Sequence, residues 1–136
     1  TMTPVLTDTA RVLVTSTSSD GIVVKVPGTQ YQLSFLPHCP ASTFVAGERV
    51  HARFRATALK MHHAKAGGIF VEPSEGHPRI VQGRVIATDT RANMVLADVV
   101  VPMWITVPQG QAASDFATGD LVNFYVQSGS TIEPVR

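Results

Sequence analysis

The sequence predicts an all-β fold made of two tandem five-stranded small barrels related by an internal repeat, and three observations carry that expectation. Apolar and polar residues alternate with the period of two that a half-buried strand requires. Gly, Pro, Asn, Asp and Ser cut the chain into pieces of about 5 to 11 residues, the spacing of short strands and turns. Helix signals are almost absent, and three blocks of the first half recur in the same order in the second.

Taken in order, Val12 to Thr15 form a first strand, and Ser18-Ser19-Asp20-Gly21 is a turn with Asp-Gly chemistry leading into Ile22 to Val26. Pro27-Gly28 turns the chain again. From Gln30 to Leu36, Tyr31, Leu33 and Phe35 fall on one face, with Gln32 and Ser34 on the other. Pro37 and Pro40 break that strand, and Ala41 to Gly47 reads as a loop or a single helical turn. A long alternating strand follows from Glu48 to Leu59. Lys60 to Gly68 reads as a flexible basic loop and an insertion, because the second half has no counterpart. Gly67-Gly68 opens a short Ile69-Phe70-Val71 strand that stops at Pro73, and Ser74 to Pro78 is the linker.

The repeat organises the rest. Arg11-Val12-Leu13-Val14-Thr15-Ser16-Thr17 returns as Arg84-Val85-Ile86-Ala87-Thr88-Asp89-Thr90, at an offset of 73. Ala41 to Val50 returns as Ala113 to Val122, at an offset of 72, with Gly47-Glu48 matched by Gly119-Asp120. Val71-Glu72-Pro73 returns as Ile132-Glu133-Pro134 at an offset of only 61, which implies a deletion of about eleven residues in the second copy. The domain reading is a first repeat over 3–73, a linker at 74–78 and a second repeat over 79–136. Units this small bury too little surface alone, so the two copies are expected to share a core or a broad interface.

Composition bounds the function classes. The 136 residues hold 11 Lys+Arg against 10 Asp+Glu, with 44% hydrophobic and 15% charged residues. A charge-poor surface raises the expectation of a homo-oligomer that covers part of it. A net charge of +1 predicts no strong global attraction to nucleic acid or to an anionic membrane. No apolar run approaches the ~20 residues of a membrane span, and there is no signal-like start, so a cytoplasmic protein is expected. The single cysteine, Cys39, makes neither an internal disulfide nor a four-thiolate zinc site, and beside His38 in a Pro-flanked loop it reads as an inert thiol.

Five short strands with a break between the third and fourth suit the OB type of small barrel. The two hairpin strands, the loop and then Gly47 to Met61 resemble the closing part of the transport-associated OB domain and of the molybdate-binding Mop domains. The second copy matches through Gly119-Asp120-Leu121-Val122 and Thr131-Ile132-Glu133-Pro134, so two units in tandem resemble the paired Mop arrangement. The resemblance implies the fold. Neither Thr3 to Arg11 nor His77 to Arg84 reproduces the Ser-Ala-Arg-Asn-like segment with which Mop domains open, so oxyanion binding does not follow from it.

The basic residues are the strongest candidates for a site. Arg49, His51, Arg53 and Arg55 alternate along one strand face, and Lys60, His62, His63 and Lys65 extend the segment, with no acidic residue between Glu48 and Glu72. The first repeat with the chain up to Pro73 carries 7 Lys+Arg and 4 Asp+Glu, and the remainder carries 4 and 6. Where the first copy has Arg49, His51, Arg53 and Arg55, the second has Leu121, Asn123, Tyr125 and Gln127. Such a row either captures a small oxyanion or an acidic protein partner, or is a solvated or internally paired face. Nucleic acid is disfavoured, because Phe54 points away from the arginines and leaves only Tyr31 and Trp104, elsewhere, as stacking candidates. His62 and His63, being adjacent on a strand, do not converge on one ion, so no metal site is expected. Met94, Met103, Trp104 and Ile105 belong to an apolar stretch read as the shared core or an oligomer interface, with Trp104 buried in either case. No catalytic constellation and no cofactor motif appears. The expected function is a non-catalytic binding or assembly module acting through the basic strand. The alternatives are a structural homo-oligomer without a small ligand and an RNA or single-strand DNA binder.

Overall fold

A computed structural model describes residues 7–40 and 43–135. Thr3 to Leu6 at the start of the first repeat, Ala41-Ser42 in the loop before the long strand, and Arg136 lie outside the described residues. The strands are β1 (Ala10–Ser18), β2 (Gly21–Lys25), β3 (Gln32–Pro37), β4 (Arg49–His63), β5 (Phe70–Glu72) and β6 (Glu75–Gly76) in the first half. The second half supplies β7 (Ile80–Asp89), β8 (Met94–Val99), β9 (Val101–Thr106), β10 (Leu121–Val126) and β11 (Thr131–Pro134), with one 3-10 turn at Ala113–Asp115. All eleven strands belong to one mixed sheet, and there is no α-helix among the described residues. Among the described residues no helix is long and apolar enough to cross a membrane.

β4 is the spine, as its alternation predicts. Val50, Ala52, Phe54, Ala56 and Ala58 are buried, while Arg49 and His51 on the other face are exposed and Arg53 and Arg55 half-buried. Its backbone is used by four strands. β1 pairs with it over Arg49–Ala52, β11 over Ala52–Arg55, β9 over Phe54–Thr57 and β10 over Ala58–His63. Past the end of β9, the Gln111 amide takes over the open edge, accepting from the Met61 N–H at 2.8 Å and donating to the Met61 carbonyl at 2.7 Å. This satisfies backbone groups that burial would otherwise strand.

The two halves repeat one pairing scheme and exchange strands. Each begins as a meander, β1-β2-β3 and β7-β8-β9. Each then makes a parallel pairing with a strand of the other half, β3 with β11 and β9 with β4. The pairings β1–β2, β2–β3, β3–β11, β11–β4 and β4–β1 return to their start, as do β7–β8, β8–β9, β9–β4, β4–β10 and β10–β7. A single buried cluster runs through both, from Val12, Phe35 and Phe54 to Met103, Ile105 and Phe124. Phe35 and Phe54 meet at 4.8 Å between ring centroids.

Matched turns anchor the repeat. Gly47 and Gly119, with φ +92° and +94°, each donate to the β-bulge strand opposite, to the carbonyls of Val14 and Val85, whose own N–H groups bond to Glu48 and Asp120. A bulge follows directly in both, at Val14/Ser16 and Val85/Ala87. The structural offset between β1 and β7 is therefore 71, two residues away from the sequence match of Arg11 with Arg84. The third sequence match also dissolves. Val71-Glu72 lies in β5, paired with β7, whereas Ile132-Glu133 lies in β11, paired with β4 and β3. β10 and β11 together run antiparallel along β4 from His63 to Ala52, so β11 corresponds to the far half of β4 and no deletion is needed.

Two other segments differ from their sequence reading. Ser74 to Pro78, read as a linker, is tied into the sheet: Glu75–Gly76 pairs with Gln32–Leu33, and the Gln32 N–H donates to the Ser74 carbonyl. The basic loop after β4 is anchored. Its Met61–His63 part is strand, and the buried Gln82 amide donates to the carbonyls of Ala66 (3.4 Å) and Gly68 (2.9 Å) while its Oε1 accepts from Asn123.

Gly83 of β7 marks the tightest approach, because a Cβ there would run into the Asp98 carbonyl oxygen and the Val99 side chain. Gly83→Ala is expected to lose about 2 kcal/mol or more, as overpacking against backbone does. Gly68→Ala, whose Cβ would meet nothing within 4 Å, should change stability by under ~1 kcal/mol. Urea unfolding midpoints of the two variants check the contrast.

Candidate functional site

The strand periodicity of β4 sends Arg49, His51, Arg53 and Arg55 to one face, but the four have different surroundings. Glu133 of β11 stands directly across from Arg53 in register and accepts from the Arg53 Nη1 at 3.2 Å and from Arg55 Nη1. From the other side comes Asp8. Its carboxylate takes the Arg53 fork, Nε at 2.9 Å and Nη2 at 3.2 Å, and also accepts the Trp104 indole N–H at 2.8 Å. Arg53 and Arg55 are thus internally paired. Hydrogen bonds from Arg53 first, and Trp104 after, hold the Asp8 carboxyl below its usual range against the opposing effect of burial. Burial pushes Glu133 up, but the bonds from Arg55 and Arg53 outweigh it and its carboxyl is also lowered. The bond to Asp8, with that to Glu133, raises Arg53 in turn.

Trp104 corrects a sequence expectation. Met103 and Ile105 of β9 are fully buried in the core, and the residue between them points to the opposite face. Trp104 is half-buried there, aligned with Arg55 across the parallel pairing and held by Asp8. Met94 is half-buried as well. The other stacking candidate, Tyr31, is half-buried, and its hydroxyl accepts from the Val71 N–H at 3.3 Å.

Farther along β4 a bulge changes the phase. Tyr125 of β10 faces Lys60 and Val126 faces Ala58, which leaves Leu59 as the extra residue, 58% exposed. Lys60 and His62 therefore share the outer face with Tyr125 and Asn123 of β10. His63 turns away, stacking on Phe116 at 4.9 Å and meeting Asp120 at 3.1 Å. The Asp120 carboxyl is lowered, chiefly by the Ala117 N–H and further by His63. Lys60, His62 and Lys65 are exposed and make no ion pair among the described residues. No group of three or more His, Cys, Asp or Glu side chains could hold a metal ion among the described residues.

The Leu59 bulge opens onto a cleft of about 630 Å³ at the seam between the halves. Its walls are Leu36 of β3, Leu59, and Tyr125, the last 59% exposed. Its polar residues are Asp20 from the β1–β2 turn, His77 and Arg79 from the segment after β6, and Ser128 and Ser130 between β10 and β11. The chain pins Arg79 from both sides: its N–H donates to the Glu72 carbonyl at 2.9 Å, and its carbonyl accepts from the Val126 N–H at 2.8 Å. His77 lies over the Cα of Gly21 at the start of β2. Neither the Arg79 guanidinium nor the His77 ring has a hydrogen-bond or ion-pair partner among the described residues. The sequence reading passed over Tyr125, Arg79 and His77 as site residues. The available signal was Tyr125 itself, an aromatic side chain standing at the repeat equivalent of Arg53 on an outward-facing position.

Compared with known proteins, the chain matches no family model, no curated protein and no solved structure.

The Asp8–Arg53–Trp104 contact sets an acid limb. A carboxyl lowered in the folded state contributes stability above its unfolded pKa of about 4 and loses it as pH falls through the folded value. Stability should therefore decline below about pH 4, and Asp8→Asn should cost about 1–2 kcal/mol at neutral pH with a shallower acid decline. Trp104, the only tryptophan, reports the loss of the contact by fluorescence while urea midpoints report stability.

Proposed function

We propose that the chain is a non-catalytic binding module of two tandem OB-like small barrels, which takes a small anionic ligand in the cleft between them. The two returning cycles of five pairings support the barrel reading. Each cycle borrows one strand from the other half, so the barrels would be interlocked rather than merely adjacent. A cytoplasmic setting is part of this reading.

The observation that carries the function is the Arg79 guanidinium, without a partner among the described residues, in a cleft walled by Leu36, Leu59 and Tyr125. A cavity of this size with few polar groups has the proportions of a small-molecule site. An exposed arginine held on a fixed backbone and facing apolar walls attracts an anion more strongly than one in open water, because the walls lower the local dielectric. The basic strand contributes through Lys60 at the rim, whereas Arg53 and Arg55 already have carboxylate partners. An acidic segment of a protein partner would offer the same charge to the same rim.

The exposed Leu36, Leu59 and Tyr125 support a second reading, a homo-oligomer that closes over this seam. Sizing chromatography separates the two: a monomer at all concentrations removes the assembly reading.

A thermal-shift screen of phosphate, sulfate, acetate and benzoate at low and high salt tests the anion site. At least one of these anions should raise Tm at low salt, with the shift reduced at high salt and lost in Arg79→Gln but kept in Arg53→Ala after correction for its lower baseline. An anion shift that Arg79→Gln retains in full, or no shift with any anion, overturns the proposal.

A further inference from the structure

The cleft is built for more than charge. An inorganic oxyanion is held best by several converging N–H donors with little apolar surface against it. Here three apolar side chains, 37% to 59% exposed, line the cleft together with the Arg79 guanidinium. Tyr125 lies at the centre of a row that runs across three strands. Lys60 faces it from β4 and Ile80 from β7, each about 5 Å away between Cβ atoms as directly opposed residues are. Tyr125 lines the cleft together with Leu59, thrown out by the bulge, and Leu36 of β3.

Resting on the anion reading above, we propose that the ligand is a small planar aromatic anion, its ring packed on Tyr125 between Leu36 and Leu59 and its charge directed to Arg79 and Lys60. An aromatic plane recovers the dispersion and hydrophobic gain that a hydrated oxyanion cannot, and a guanidinium at its margin binds a carboxylate, sulfonate or phosphate in the plane. Asp20 on the same wall disfavours a second negative group on the far side. A nucleic-acid strand fits less well. It needs successive stacking platforms along a basic groove, and of the other two candidates Trp104 is engaged by Asp8 and Tyr31 by Val71.

Anilinonaphthalene sulfonate, an aromatic anion with a planar naphthalene ring that becomes fluorescent in apolar sites, is the probe. Titration into the wild type should give saturable binding that benzoate displaces. Tyr125→Phe should keep the affinity, Tyr125→Ser should weaken it about tenfold, and Arg79→Gln should weaken it severalfold and flatten its salt dependence. Arg91→Gln, an exposed change in the β7–β8 turn, should leave it unaltered. Circular dichroism of each variant verifies the fold. Unchanged probe affinity in Tyr125→Ser overturns the aromatic proposal. Binding of phosphate or sulfate at the cleft with none of the aromatic probe also overturns it, yet leaves the anion site standing. Binding of neither removes both. Displacement of the probe by an oligonucleotide but not by benzoate replaces the small ligand with a strand.

Discussion

A β-strand of fifteen residues exposes two rows of backbone donors and acceptors, and in a buried setting each of them needs a partner. Along β4 the rows are divided among β1, β9, β10 and β11, with the Gln111 amide covering Met61 where β9 has ended. Two of these partners belong to one edge and two to the other, and three of the four come from the second half of the chain. The inner face of β4 then supplies Phe54 and Met61 to a core shared by both halves. Neither half can satisfy β4 by itself. Folding of the repeats is coupled through this strand, and a defect that loosens β9 or β11 should unpair β4 from both sides.

The same coupling sets where the charges go. A net charge of +1 conceals an excess of positive charge in the first half and negative charge in the second. β11, lying on β4, brings Glu133 to Arg53 and Arg55, and the β10 turn brings Asp120 to His63. Part of the imbalance is therefore met between the halves at Glu133, and Asp8, from the first half, completes the pairing of Arg53 while also giving the Trp104 indole its acceptor. Pairs this exposed add modestly to stability. Their larger consequence is to engage Arg53 and Arg55, whereas Arg79 and Lys60 make no ion pair among the described residues.

Much of the fold was legible because it follows from local rules. Alternation over Arg49 to Ala58 has one reading, and the Gly47-Glu48 and Gly119-Asp120 turns appear in equivalent positions with nearly equal φ. What escaped has physical reasons. Aligning Arg11 with Arg84 errs by two residues, and a two-residue slip leaves every side chain on its proper face, so the pattern cannot reveal it. The β8–β9 hairpin turns on Val100, at φ +83°, a conformation that a β-branched residue rarely adopts and no turn residue advertised. Bulges such as that at Leu59 are set by the partner strand, and they decide which of Lys60, His62 and His63 face Tyr125. The basic row was visible. Its neutralisation by Asp8 and Glu133, which lie 45 and 80 residues from Arg53, required the register of three strands.

The location of the cleft follows from a difference between β4 and the pair β10 and β11 that runs along it. β4 crosses the middle of the molecule unbroken, with a single bulge. Its counterpart is interrupted between Val126 and Thr131, where Gly129 takes φ +106° and the Gln127 N–H still bonds to the Thr57 carbonyl. An unbroken strand there would carry side chains across the seam and fill it. The interruption instead leaves Ser128, Gly129 and Ser130 as a low wall. Tyr125 stands where the sequence match places Arg53, and Arg79 reaches the same cleft from the segment just before β7. A fold does not dictate a ligand, but the interruption between β10 and β11 brings irregular backbone, the exposed Tyr125 ring and the Arg79 guanidinium to one place.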